Sequence, residues 1–189
     1  MNKNRCFGTG IKIYEDYHDN EWGVPKYDDY ELFEMLVLEG MQAGLSWITV
    51  LKKREAYRKA FDNFDPSKIA LYDEKRIEEL MNNEGIIRNR LKINSIITNA
   101  KLFLEIMETK GSFSKMLWEY VGGKPIINNI KNLEDMPITT EISDKMSKDL
   151  KKMGFKFVGS TIVYSFMQAV GMVNDHYGDC FLCAKLTKK

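Results

Sequence analysis

Long apolar runs, a leader-like start and an excess of either charge are all missing from this sequence, and each absence narrows what the chain can be. No stretch approaches membrane-spanning length, and the opening MNKNRCFG is polar, so a soluble, intracellular protein is expected. Lys and Arg number 28 against 27 Asp and Glu, which excludes attraction to nucleic acid through a global field and leaves it to local basic patches. Cysteine is scarce and odd in number: Cys6, Cys180 and Cys183, at opposite ends, do not make a disulfide scaffold. There is no internal repeat, no low-complexity segment and no convincing alternating strand. What remains, in 189 residues, is one substantial core or two small lobes sharing a cleft.

The most apolar stretch is LFEMLVLEGMQAGLSWITVL, from Leu32 to Leu51, and Glu39 stands inside it. On a helix Glu39 shares a face with Leu32, Met35 and Leu36, while Glu34 points toward solvent. An unpaired carboxylate on a core face costs several kcal/mol unless something satisfies it. Either a nearby helix end or an arginine takes that role, or Glu39 reads a ligand.

The first 25 residues, dense in aromatic and polar side chains and punctuated by Gly23 and Pro25, read as a loop with short turns. A helix is expected from Asp28 or Asp29 to about Met41, with Gly44 interrupting, then a second from Trp47 to Phe61 capped by Ser46. Lys52, Lys53, Arg54, Arg58 and Lys59 lie on its exposed side. Short helices follow to Leu71 and over Asp73 to Met81. Asn82 to Gly85 then form a turn, and basic residues open a helix carrying Ile93, Ile96, Ile97, Ala100 and Leu104 on one stripe. Two helices about a short Gly-containing turn make a helix-hairpin-helix candidate over about 74–105, a place where backbone N–H groups and Arg side chains can hold phosphate. Further helices are expected over Ser112 to Tyr120, from Thr140 or Ser143 to Met153, and over Ser160 to Val170. The fold class is all-α, two helical lobes around a cleft, in a single domain spanning 1–189.

The only two histidines, His18 and His176, each have a cysteine in range, Cys6 and Cys180. Cys2His2 is a closed zinc set, and it would staple the two ends of the chain across a very long loop. Four protein ligands leave no open position, so such a metal is structural; a zinc-dependent hydrolase, the second alternative, would need one. The Cys180-x2-Cys183 spacing would let either cysteine serve as the ligand; Cys180 is the expected one, with Cys183 spare.

The runs Tyr17-His18-Asp19-Asn20-Glu21-Trp22-Gly23-Val24-Pro25, Leu38-Glu39-Gly40, Gln42 to Glu55, Gly85-Ile86-Ile87-Arg88, Gly154 to Gly159 and Val173-Asn174-Asp175-His176 resemble, in order and spacing, the bacterial 3-methyladenine DNA glycosylase I family. The resemblance implies a helix-hairpin-helix DNA repair fold in the bacterial cytoplasm and a structural zinc on Cys6, His18, His176 and Cys180. It also implies an enzyme that flips 3-methyladenine out of alkylated double-stranded DNA and hydrolyses its N-glycosidic bond; nothing in the sequence forces a lysine into the pocket, so a monofunctional enzyme is expected, acting as a monomer. By the same resemblance Glu39 and Tyr17 hydrogen-bond the extruded base, Trp47 and Tyr14 wall its pocket, and Phe7 stands for the stacking aromatic beside the first cysteine. Gly44-Leu45 fills the gap left in the duplex, and Gly85, Arg88 and Arg90 hold the DNA backbone, helped by Lys52, Lys53 or Lys156. The competing expectation is a zinc-stapled helical module that binds damaged DNA without catalysis.

Overall fold

The computed structural model describes residues 4–183, so the outer ends of the expected 1–189 domain, residues 1–3 and 184–189, lie outside the described residues. Helix α1 spans Lys12–Asn20, α2 Asp29–Gln42, α3 Trp47–Ala60, α4 Pro66–Ile69, α5 Glu74–Met81, α6 Arg90–Lys110 and α7 Phe113–Trp118. Strand β1 (Ile126–Ile127) precedes α8 (Glu141–Met153), α9 (Ser160–Ala169) and strand β2 (Val173–Asn174). Short polar side chains set the helix starts. Asp28 accepts from the Tyr30 and Glu31 N–H groups, Asp73 from Arg76, Asn89 from Lys92, Ser112 from Lys115, and Thr140 forms a capping box with Ser143.

Helix α2 is the centre of the molecule. From Leu32 to Met41 every residue but Glu34 is buried, and the helix packs against α3, α6, α7 and α9. Burial on all sides explains why its sequence is apolar almost all round. Helix α9, equally apolar, crosses it. No described helix is long and apolar enough to cross a membrane.

The structure departs from the sequence reading in four places. The aromatic N-terminal segment is not all loop: residues 12–20 are helical, because Tyr14, Tyr17 and His18 fall three and four positions apart and turn one face inward. A small parallel ladder pairs Ile126 with Val173 and Ile127 with Asn174, too short to leave an alternating signature. Glu34 is not free in solvent but accepts from Arg58 Nε at 2.9 Å. Ser46 does occupy the N-cap of α3, yet its hydroxyl meets Thr49 Oγ1 at 2.8 Å rather than a backbone N–H.

The segment after β2 is tied down by a buried network. Asp175 accepts from Asn128 Nδ2, Tyr164 Oη and Gln168 Nε2, each at 2.7 Å. His176 follows directly.

Candidate active site

Helices α1, α2, α3 and α9 meet around a cavity of about 230 Å³, larger than the roughly 150 Å³ apolar cavity that takes up a benzene ring. Tyr14 and Tyr17 reach it from α1, Glu39 from α2, Trp47 from the first residue of α3, and Phe7 from the segment before α1. The sequence singled out all five. Phe7 lies against Tyr14 with centroids 4.8 Å apart, and Tyr17 against Trp47 at 5.2 Å. Cys6 also lines it, and Trp22, Gln42, Leu133, Met136, Ser165, Gln168 and Tyr177, whose place in the wall was not foreseen, complete it. Trp22 and Gln42 carried a signal, Trp22 as part of the aromatic N-terminal segment and Gln42 because it lies three residues, one helical turn, beyond Glu39.

Glu39 is 2% exposed, and its Oε2 has no hydrogen-bond partner among the described residues. Burial alone pushes its pKa up to about 8. Arginines that could have neutralised it are committed elsewhere: Arg54 makes a two-pronged contact with Glu21 at 2.6 and 2.8 Å, and Arg58 holds Glu34 and Glu55. The Trp47 indole N–H is likewise buried without a partner. The Tyr17 hydroxyl is raised well above its ordinary pKa by burial first and then by Glu39, so it stays a protonated donor. An unpartnered acceptor and an unpartnered donor lining one aromatic cavity suit a flat, polar-edged ligand.

Directly beside this cavity, Cys6, His18, His176 and Cys180 bring their ligand atoms within 4.8 Å of one another, a group that could hold a metal ion. His18 Nε2 accepts from the Cys6 backbone N–H at 3.2 Å while Nδ1 faces Asp19 Oδ1 at 3.0 Å, so the proton belongs on Nδ1. His176 Nε2 faces the Trp22 carbonyl at 3.3 Å, leaving Nδ1 to the Cys180 and Cys6 sulfurs at 3.5 and 3.6 Å. Asp19 is held in turn by Arg5 at 2.8 and 2.9 Å. The thiol of Cys180 is drawn well below its ordinary value by its hydrogen bond with Cys6, with His176 and His18 adding to the effect. Cys183 is outside the cluster, its sulfur 3.4 Å from the His176 carbonyl. Because Cys6 precedes Phe7 and His18 follows Tyr17, the cluster fixes two walls of the cavity from behind.

The turn between α5 and α6 is held rigidly against α3. A Cβ on Gly85 would come within 2.9 Å of Ala56 Cβ, so only glycine allows that approach. Tyr57 Oη accepts from the Ile87 N–H at 3.2 Å. Lys53, expected to help hold phosphate, instead donates to the Glu84 and Gly85 carbonyls at 2.9 and 3.2 Å. Arg90 is paired with Glu74 and Glu78 across the hairpin, and Arg88 is exposed with Glu84 3.8 Å away. Gly44 and Leu45 form the exposed loop between α2 and α3, at the end of the helix that carries Glu39.

The family model for methyladenine glycosylase matches residues 8–183. The chain belongs to the methyladenine glycosylase family. Within that family it is 52% identical over 177 residues to the DNA-3-methyladenine glycosylase of Haemophilus influenzae, covering 93% of this chain and 96% of that protein. It is 53% identical over 168 residues to DNA-3-methyladenine glycosylase 1 of Escherichia coli strain K12, covering 89% and 90%. A crystal structure of a 3-methyladenine DNA glycosylase I variant in complex with 3-methyladenine superposes with a TM-score of 0.91 at 42% identity, covering 96% of this chain and 97% of that one.

Proposed function

We propose that this chain excises 3-methyladenine from alkylated double-stranded DNA by hydrolysing the N-glycosidic bond. The observation that carries the reading is Glu39: a buried carboxylate with an unpartnered oxygen, set among Tyr17, Trp47 and Tyr14 in a cavity of base size.

Methylation at N3 makes the attached base cationic, so it leaves as a neutral purine and asks little of an acid catalyst. Discrimination is the harder task. With its pKa near 8, Glu39 in the empty cavity favours its neutral form at pH 7. A cationic base supplies the opposite charge that burial withholds, and the carboxylate form then wins. Trp47 adds stacking and cation–π attraction of about 0.5–2 kcal/mol, and Tyr17 donates from its protonated hydroxyl. Normal adenine brings no charge, so it leaves Glu39 unrewarded. Flipping is cheapest where pairing is already damaged, a second source of selectivity.

Water is the nucleophile. Among the described residues no lysine lines the cavity, so none of them supplies an amine to form a Schiff base with the sugar and cleave the strand. A helical module that merely binds damaged DNA gives no account of a carboxylate left unpartnered beneath aromatic rings.

The Cys6, His18, His176 and Cys180 set fits zinc. Bonds of about 2.3 Å to sulfur and 2.0–2.1 Å to nitrogen at tetrahedral angles place S and N about 3.5–3.6 Å apart, and three of the four S···N separations are 3.5, 3.5 and 3.6 Å. A closed set supplies cross-linking and no catalytic step. It would hold Phe7 and Tyr17 in place.

The single domain grips DNA through a helix-hairpin-helix made of α5, the 82–89 turn and α6, with Gly85 and Arg88 toward phosphate and Leu45 entering the gap left by the base. Arg90 contributes in part through the hairpin it braces.

The test is incubation with methylated duplex DNA and identification of the released bases. Release of 3-methyladenine without strand cleavage is expected. No released base, or cleavage that accompanies release, contradicts the reading.

A further inference from the structure

The loop of residues 43–46 projects from the end of α2 and is exposed from Gly44 to Ser46. Gly44 has φ 75°, and a Cβ built there meets nothing within 4 Å. Leu45 is 41% exposed. The Ala43 N–H answers the Gly40 carbonyl at 3.3 Å and the Leu45 N–H the Gln42 carbonyl at 2.6 Å, but helix α2 has no basic residue in its last turn, and among the described residues no backbone N–H answers the Met41 carbonyl.

The answer comes from another helix. Lys92, in the first turn of α6, is 6% exposed and extends its ammonium to the Met41 carbonyl at 2.8 Å and the Ala43 carbonyl at 2.7 Å. Its own backbone N–H is fixed by Asn89 Oδ1 at 3.1 Å, the cap that ends the hairpin turn. One buried side chain thus ties the α2–α3 loop to the helix that leaves the hairpin. Burial lowers the pKa of Lys92, so a cation at this position is a cost that an apolar side chain of the same length would avoid. Lys92 does not line the cavity, so it does not touch the reacting base.

We propose that Lys92 is a positioning residue for base extrusion. By holding the Met41 and Ala43 carbonyls, its ammonium fixes the Gly44-Leu45 loop in register with the hairpin. Leu45 then meets the base stack at the point where the hairpin has set the phosphates. The inference rests on the reading of Gly44-Leu45 as the segment that fills the gap in the duplex.

Lys92→Met keeps the stem and removes the charge. Two readouts on one preparation separate its role from a structural one: affinity for free 3-methyladenine, which needs the cavity alone, and single-turnover excision from methylated duplex, which needs the loop as well. The expected result is unchanged free-base affinity with excision slowed roughly 10- to 100-fold, and recovery of most of the rate by Lys92→Arg. Unchanged excision overturns the proposal, and so does an equal loss in both assays, which would make Lys92 a core residue only. Should Lys92→Met fail to fold, Lys92→Gln carries the same readouts and outcomes. Leu45→Ala, measured alongside, distinguishes the two readings. A full rate there overturns the loop assignment and this proposal together, whereas a loss at Leu45 with none at Lys92 overturns this proposal alone.

Discussion

Two carboxylates are buried to the same degree in this protein, and the protein treats them in opposite ways. Asp175, 1% exposed, accepts hydrogen bonds from Asn128, Tyr164 and Gln168. Glu39, 2% exposed, has an oxygen with no partner among the described residues. The Asp175 network is complete without a ligand, and it stiffens the approach to His176. The cavity around Glu39 is incomplete without one. A fold that can assemble three donors for one carboxylate and leaves the other unanswered is holding the second for something that arrives from outside.

The largest way to break this contrast is to remove each carboxylate in turn. Glu39→Ala is expected to lower 3-methyladenine excision by on the order of 100-fold or more while the folded state persists, as measured by single-turnover kinetics beside circular dichroism. Asp175→Ala should do the reverse. It leaves three buried donors without an acceptor and should cost about 2–4 kcal/mol of stability, read from denaturant unfolding. If Glu39→Ala proved the more destabilising of the two, the contrast would fail.

Metal removal comes next. Chelation of a sample shown by elemental analysis to hold one zinc per chain should lower Tm by several degrees. Below that transition, activity should fall only as far as the Phe7 and Tyr17 walls loosen. A sample that keeps its Tm but loses all activity would instead argue for a catalytic metal. The smallest effect is expected at the hairpin: Lys53→Met frees the Glu84 and Gly85 carbonyls and should weaken binding to duplex DNA by a few-fold, with free-base affinity unchanged.

Much of this site could be read from residue type and spacing. Glu39 stood out because a charge inside an apolar helix needs a reason, and the two His–Cys pairs stood out because the chain has so few of either residue. The starts of α2, α5 and α8 were legible to within a few residues, and capping chemistry settles them at Asp28 rather than Asp29, at Asp73, and at Thr140 rather than Ser143. What could not be read were relations set by tertiary packing. Lys53 looks like any solvent-facing lysine of a basic helix until the Gly85 turn is brought against Ala56. Lys92 looks like the basic opening of a DNA-binding helix until α2 ends beside it. Helix α1 was hidden because its aromatic side chains serve the cavity and its histidine the Cys/His cluster, and Gly and Pro beyond it suggest a loop. Trp22 and Gln168 line the cavity only because α9 folds back against the N-terminal segment, where the Gly23 N–H meets the Gln168 carbonyl at 3.0 Å.

The most direct measurement is the stability of Glu39→Gln relative to the parent as a function of pH. The folded value of Glu39, about 8, lies above the ordinary 4.5, so its neutral form favours the folded state. That contribution is intact below pH 4.5 and lost as the pH rises to 8. Glutamine mimics the neutral acid and removes the dependence. Glu39→Gln should therefore match the parent in acid and overtake it steadily toward pH 8, by up to roughly 5 kcal/mol, while excising far less 3-methyladenine. A variant that is less stable than the parent across this range would mean that Glu39 is satisfied within the fold, and would contradict the account.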